Sequence, residues 1–202
     1  SLLHAWENAS EDWWMGASVS PISAEAMKRF AIGNHDLYHD RQLRLMLDAR
    51  GQHDGQANWR TVGAVDLYDF EPRHLRAGVA LHVDHNARRL GHGLEGVLLL
   101  ADYARQHLGL RQLYAEVPAS HHASLALFTK AGYLETGRRL SWIRDAQGGW
   151  DDVVTLQMQL PNPNQLCLKI LLDQSLMQRL IQPYRLVPKL NLNLYLKFFF
   201  LF

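Results

Sequence analysis

The stretch from residue 77 to residue 117 constrains the fold more than any other. Residues 77–83 read as a strand, and Arg88-Arg89-Leu90-Gly91-His92-Gly93 then opens a helix from about 94 to 108. Val97, Leu98, Leu100, Ala101 and Ala104 are among its apolar positions, and Gly109 suits its C-terminal stop. A short strand over 113–117 follows. A strand–helix–strand crossover predicts a parallel pair. Upstream, strands are expected at 42–49, 61–70 and 77–83, joined by a polar loop over 51–56 and a turn at Pro72-Arg73-His74. Such a meander is antiparallel. The class is therefore α/β (α+β): a mixed, mostly antiparallel twisted sheet flanked by helices.

The remaining elements fit around that sheet. A short helix is expected over 1–8. A second follows Ser23, which can cap it, with Glu25 in the first turn where an acid suits the helix dipole. Ser120 is the expected cap of a helix running to Lys130 and stopped by Gly132. Segments 134–144 and 150–160 form a last hairpin around Gln147-Gly148-Gly149.

Composition narrows the function classes. The single cysteine, Cys167, excludes an internal disulfide framework and a multi-cysteine zinc site. A formal charge of +1 argues against a nucleic-acid partner bound by bulk electrostatics. No apolar run approaches the roughly 18–20 residues of a membrane-spanning helix, so no membrane association is expected. Residues 1–8 carry no export signal, and the expected compartment is the cytoplasm.

The average conceals a break. Residues 1–160 hold all 11 histidines and all 14 glycines, with 16 basic and 19 acidic side chains. Residues 161–202 hold no Gly, Ala or His, and 5 basic side chains against 1 acidic. Pro161-Asn162-Pro163-Asn164 marks the joint. The expected organisation is a functional domain over 1–160 and an appended helix-plus-strand tail over 161–202, with the strand at 190–198.

The loop at 88–93 carries the chemistry. Backbone N–H groups at a helix N-terminus bind phosphate, and glycines let the backbone approach it. Arg88 and Arg89 can pair with phosphate oxygens. The spacing fits neither the Rossmann nor the Walker pattern, and an ordinary solvated loop is the alternative.

Arg88-x-x-Gly91-x-Gly93 resembles the Arg/Gln-x-x-Gly-x-Gly/Ala pyrophosphate loop of the GCN5-related N-acetyltransferases (GNAT). Ala123-Ser124-Leu125-Ala126-Leu127-Phe128-Thr129-Lys130-Ala131-Gly132-Tyr133 resembles that family's Ala-Ser-x-x-Leu-Phe/Tyr-x-Lys-x-Gly-Phe/Tyr helix. Gly63-Ala64-Val65-Asp66-Leu67 resembles a strand of the family. Trp6-Glu7-Asn8 and Gly137-Arg138-Arg139 resemble its ribosomal-protein and spermidine N-acetyltransferase branch. The resemblance covers roughly residues 4–160. It implies the GNAT fold and direct transfer of acetyl from acetyl-CoA, the co-substrate, to a primary amine. The acceptor would be a polyamine or other small amine, or a protein N-terminus.

The resemblance also assigns residues. Leu81, His82 and Val83 would pair with pantetheine between two splayed strands. Arg88, Arg89, Leu90, Gly91, His92, Gly93 and Leu94 would hold the pyrophosphate. His121, Ser124, Phe128 and Lys130, on the following helix, would flank the CoA arm. Many members carry Asn at the position of His121 and a tyrosine, acting as thiolate acid, at that of Phe128, which has no proton to donate. Tyr133 lies five residues further on. Base candidates are His82, Glu116, Asp66 and Asp84, with a packing role the alternative for His82. Glu7 and Trp14 are the acceptor-side candidates, by charge and cation–π contact.

A non-catalytic acyl-CoA-binding or sensing module of the same fold is the rival reading. His35 and His39 are spaced four apart but lack the Glu of a zinc helix, so no metal is expected. Family members begin with an edge strand, and none is expected ahead of the first helix in residues 1–8. The tail strand is expected to fill that edge, in this chain or a neighbouring copy; the alternatives are a homo-oligomer interface and a segment foreign to the domain, which the abrupt shift in composition favours.

Overall fold

The computed structural model describes residues 2–9, 21–33, 35–53, 56–145, 147–161 and 194–198. Three helices come first: α1 (Leu2–Glu7), α2 (Ala24–Ala31) and α3 (Leu37–Asp40). The meander follows as β1 (Leu43–His53), β2 (Gln56–Glu71) and β3 (Arg76–Val83). Then come α4 (His92–Gln106), β4 (Gln112–Pro118), α5 (His122–Ala131), β5 (Leu134–Arg144) and β6 (Trp150–Gln159). A final strand, β7 (Leu194–Phe198), lies within the tail. Spatial order is β5-β6-β4-β3-β2-β1-β7, and only β3 and β4 pair in parallel. No helix among the described residues is long and apolar enough to cross a membrane.

Strand alternation divides the sheet into two faces. Leu45 and Leu47 of β1, Val65 and Leu67 of β2 and Val79 of β3 are buried on one face. Against them α4 sets Val97, Leu100 and Ala104, all fully buried. Gly96 makes this contact close, since a Cβ there would stand 2.7 Å from Leu47 Cδ1 and 3.3 Å from Val65 Cγ1. Helix α5 packs beside α4 on the same face: a Cβ on Gly93 would meet Leu127 Cδ1 at 2.9 Å and Leu81 Cδ2 at 3.1 Å. Helix α1 covers the opposite face, where Trp6 stacks on His82.

The parallel pair is short. It comprises Arg76↔Gln112, Ala77↔Leu113 and Gly78↔Tyr114. Beyond it β3 continues to Val83, paired only with β2, and β4 continues to Pro118, paired only with β6. The two strands therefore open into a fork.

Two local expectations are corrected, and the edge-strand expectation is met within this chain. Strands β1 and β2 run through most of the polar stretch 51–56, because their ladder continues to His53↔Gln56. The cap of α5 is His121, whose Nδ1 accepts the Ser124 N–H at 3.1 Å, while the Ser120 N–H donates to Asp151. The β1 edge is filled within this chain, as Leu45↔Phe198 through Ala49↔Leu194 pair antiparallel. Ser23 caps α2 as expected. The predicted tail helix lies outside the described residues.

Replacing Gly96 by Val forces a Cβ and its γ-methyls into Leu47 and should cost about 1–3 kcal/mol. Thermal unfolding should show a drop of roughly 2–4 °C for each kcal/mol. Deleting residues 161–202 bares the β1 edge, so the truncated chain should melt lower and self-associate in light scattering. An equally stable, equally soluble product would show the strand to be dispensable.

Candidate functional site

The fork sets the direction of the backbone groups along β3. The Asp84 N–H donates to the Val62 carbonyl at 2.8 Å, which makes Val62–Asp84 a hydrogen-bonded position in line with the β2–β3 ladder. Ladder alternation then turns the N–H and C=O of His82 and Ala80 toward β2. Those of Val79, Leu81 and Val83 turn toward the fork. Of the three residues predicted to face a pantetheine arm, Leu81 and Val83 direct backbone groups into the fork. His82 directs its side chain to the sheet face under α1 instead.

Both helices that follow the fork strands begin at its open end, because β3 leads into α4 and β4 into α5. The α4 N-terminus has no side-chain cap: Gly91 occupies that position at φ +89°, and the Glu95 N–H bonds the Gly91 carbonyl. No heavy atom lies within 4 Å of where a Gly91 Cβ would stand, so its need for glycine is conformational. Gly93 serves packing. The sequence motif thus holds two glycines for two different reasons. Arg88, Arg89, Leu90 and Gly91 are exposed, His92 and Leu94 half-buried. Arg88 Nε donates to the Val83 carbonyl at 3.0 Å, which ties the loop to the end of β3. Burial lowers the pKa of His92 and raises that of Glu95.

Along α5 the predicted contacts separate. His121 and Ser124 form the cap at the fork mouth. Phe128 is buried, its ring edge-on to Tyr133 with centroids 5.0 Å apart. Lys130 is exposed in the last turn, about 12 Å along the axis from the mouth. There its charge suits the helix C-terminus.

The face under α1 gathers the charged groups. Arg44 donates Nε and Nη2 to both oxygens of Asp66, at 2.8–3.2 Å, and Nη1 to Glu7 Oε1 at 2.9 Å. Burial opposes the Arg44 charge, but the two carboxylates outweigh it and raise its pKa. Two carboxylates on one guanidinium leave the cluster with a net charge of −1. Trp6 Nε1 donates to Asp84 Oδ2 at 3.1 Å, which holds the Asp84 pKa below its ordinary value. The Trp6 ring lies 4.8 Å from that of His82. Glu116 is ion-paired with Arg139 at 2.5 Å. Trp14 lies outside the described residues. No cluster of three potential metal ligands occurs among the described residues.

Sequence reasoning missed a group of tyrosines at the fork's closed end. Tyr68 lies across Gly78, where a Cβ would come within 2.3 Å of its ring. Its ring meets that of Tyr114 at 5.6 Å. Tyr114 Oη bonds Asp69 at 3.2 Å, and burial together with the Asp69 charge pushes its pKa up to about 12. Tyr68 is raised further, mainly by burial. The signal was Tyr68 and Gly78 each alternating into a strand, but their pairing depends on register.

Comparison with known proteins is consistent with this geometry. The family profile described as "Acetyltransferase (GNAT) domain" matches residues 2–134. Comparison with curated proteins returns no significant match. Among solved structures, spermidine N-acetyltransferase from Vibrio cholerae, in complex with CoA and spermine, superposes with TM-score 0.65 at 16% identity, over 78% of this chain and 88% of that one. Ribosomal-protein-alanine N-acetyltransferase from Brucella melitensis gives TM-score 0.60 at 24% identity, over 79% and 92%. At these identities the superpositions speak for a shared fold, and the profile match covers well over half the chain. The fork, its glycine loop and the profile together make this chain a member of the GCN5-related N-acetyltransferase family.

Proposed function

We propose that the chain transfers acetyl from acetyl-CoA to a primary amine on a small cationic acceptor of polyamine type, with a peptide N-terminus the other candidate. The observation that carries the donor half is the fork. Its free-running β3 edge leads to an uncapped helix N-terminus flanked by Arg88 and Arg89. An extended amide-bearing arm ending in pyrophosphate matches that order of groups. Leu81 and Val83 would bond the arm, and the amides of residues 92–94 with the two arginines would hold the phosphates. Acetyl-CoA supplies a thioester, activated toward amines and with a thiolate as leaving group.

The residues divide the remaining work. The Leu81 N–H, fixed by the β2–β3 ladder, points where a carbonyl oxygen gains charge, and such a donor needs no reorganisation during reaction. The Glu7–Arg44–Asp66 cluster and Asp84 attract a cation to the face under α1, with Trp6 offering an aromatic wall. His82 stands beside Leu81 on that face and takes the proton that an ammonium must lose before attack. Glu116 is the weaker base, because Arg139 already balances its charge. The spermine in the Vibrio cholerae complex supports a polyamine acceptor.

One observation favours the rival reading, a CoA-binding sensor without turnover: Phe128 stands where many members place the acid. A thiol-release assay with acetyl-CoA and a panel of amines decides. Release with a polyamine or N-terminal peptide is expected. CoA binding without release on any amine would favour the sensor, and no CoA binding would sink both.

Two variants divide donor from acceptor. Arg88→Ala combined with Arg89→Ala should weaken CoA binding about 10–100-fold in calorimetry, the range expected for lost charge-assisted contacts. Glu7→Gln should raise KM for spermidine about 10-fold, with KM for acetyl-CoA unchanged, since one charge-assisted contact is lost. An unchanged spermidine KM would remove Glu7 from the acceptor site.

A further inference from the structure

A trench of about 200 Å³ lies at the closed end of the fork. Thr136 of β5, Thr155 and Gln157 of β6, Gln112 and Tyr114 of β4 and Arg76 of β3 line it. Strand alternation puts Gln112, Tyr114 and Glu116 on one face of β4, opposite the buried Leu113, Ala115 and Val117. Thr155 pairs with Glu116, and Gln157 with Tyr114. The trench therefore begins beside Glu116, where β3 and β4 have already parted, and runs to Arg76 at the start of β3.

Its uncharged groups match a peptide main chain. Gln157 Nε2 donates to Gln112 Oε1. Among the described residues this leaves the Gln112 amide N–H groups and the Gln157 side-chain carbonyl for a further partner. An extended peptide offers one C=O and one N–H per residue, which suits such a donor and acceptor together. A polyamine has no carbonyl for the Gln112 donor.

Arg76 supplies the one charge among these lining side chains, and it is exposed. The acids closest in register are taken by others. Glu71, its partner across the β2–β3 ladder, accepts from Arg41 Nη2 at 2.9 Å. Asp69 accepts from Tyr114 Oη at 3.2 Å. Among the described residues Arg76 forms no ion pair, and a guanidinium with open donors takes a carboxylate by two parallel hydrogen bonds.

We propose that the trench binds the residues that follow the amine of a peptide acceptor, and that Arg76 selects an acidic side chain among them. This rests on the acetyltransferase reading above and takes up its peptide acceptor. Reach fixes the position. Arg76 lies about 17 Å from Leu81 along β3, at a strand rise of roughly 3.3 Å per residue. An extended peptide advances roughly 3.3–3.6 Å per residue. With its amine at Leu81, the peptide brings its fifth or sixth residue to Arg76.

The test uses the full chain, spermidine, and N-terminal peptides that differ only at their fifth and sixth residues, which are Glu, Gln or Lys. Thiol release from acetyl-CoA should give the Glu peptide a kcat/KM about 10-fold above that of the Gln peptide, the effect of one charge-assisted contact. The difference should lie in KM, and the Lys peptide should rank last. Arg76→Gln should bring the Glu-to-Gln ratio to about one, and Arg76→Glu should put the Lys peptide first. Equal kcat/KM for the three peptides with the wild-type chain overturns the proposal. So does a Glu preference that survives Arg76→Gln, or a loss in Arg76→Gln that is equal on all three peptides and marks a structural role. Should the variants fail to fold, the wild-type preference is followed against salt. It should shrink as ionic strength rises, and a salt-independent preference overturns the proposal. A chain that acetylates spermidine and no peptide overturns the proposal and leaves the acetyltransferase reading standing. A chain that acetylates neither overturns that reading.

Discussion

The separation of β3 from β4 is the constraint on which the rest depends. Three residue pairs hold the strands together, and each strand then keeps only its outer partner. A sheet interior exposing two rows of unpaired backbone groups would be unfavourable without a ligand or solvent to meet them. The fold accepts this at one place. The outer ladders are long and continuous there, so the strands stay straight while the space between them opens. The same opening gathers two helix N-termini at its mouth and the Tyr68–Tyr114 pair at its closed end.

Charge is organised around that opening with similar division. The donor side is basic and glycine-bearing, which suits phosphate. The proposed acceptor side centres on Arg44 held between Glu7 and Asp66, a cluster that keeps one negative charge. A partly buried ion cluster of this kind contributes little to net stability. Its physical effect is to fix α1 on the sheet and set the sign of the acceptor face. Trp6 does the same for His82 and Asp84, through one stack and one hydrogen bond.

Much of this was legible in the sequence. The crossover at 77–117 required one parallel pair, and Arg88-x-x-Gly91-x-Gly93 lay at the start of α4. What sequence reasoning missed came from interactions between distant elements. The cap of α5 is His121 rather than Ser120, since the His121 Nδ1 accepts the Ser124 N–H, while Asp151, far along the chain, holds the Ser120 N–H. The β1–β2 hairpin is longer than its polar residues suggested, since ladder pairing outweighed local turn propensity. Gly93, read only as a phosphate contact, also leaves the space that Leu127 and Leu81 occupy. The Tyr68–Gly78 contact depends on strand register, which one chain's residue order does not fix. The edge strand beside β1 is supplied from 194–198, as its alternating pattern suggested.

CoA binding in the fork is the central proposal. Amide hydrogen exchange resolved by residue, with and without CoA, tests it most directly. Protection should appear at the amides of Leu81 and Val83 and at residues 92–94, with little change along the β2-facing amides of Ala80 and His82. Protection confined to other elements, or none at saturating CoA, would contradict it.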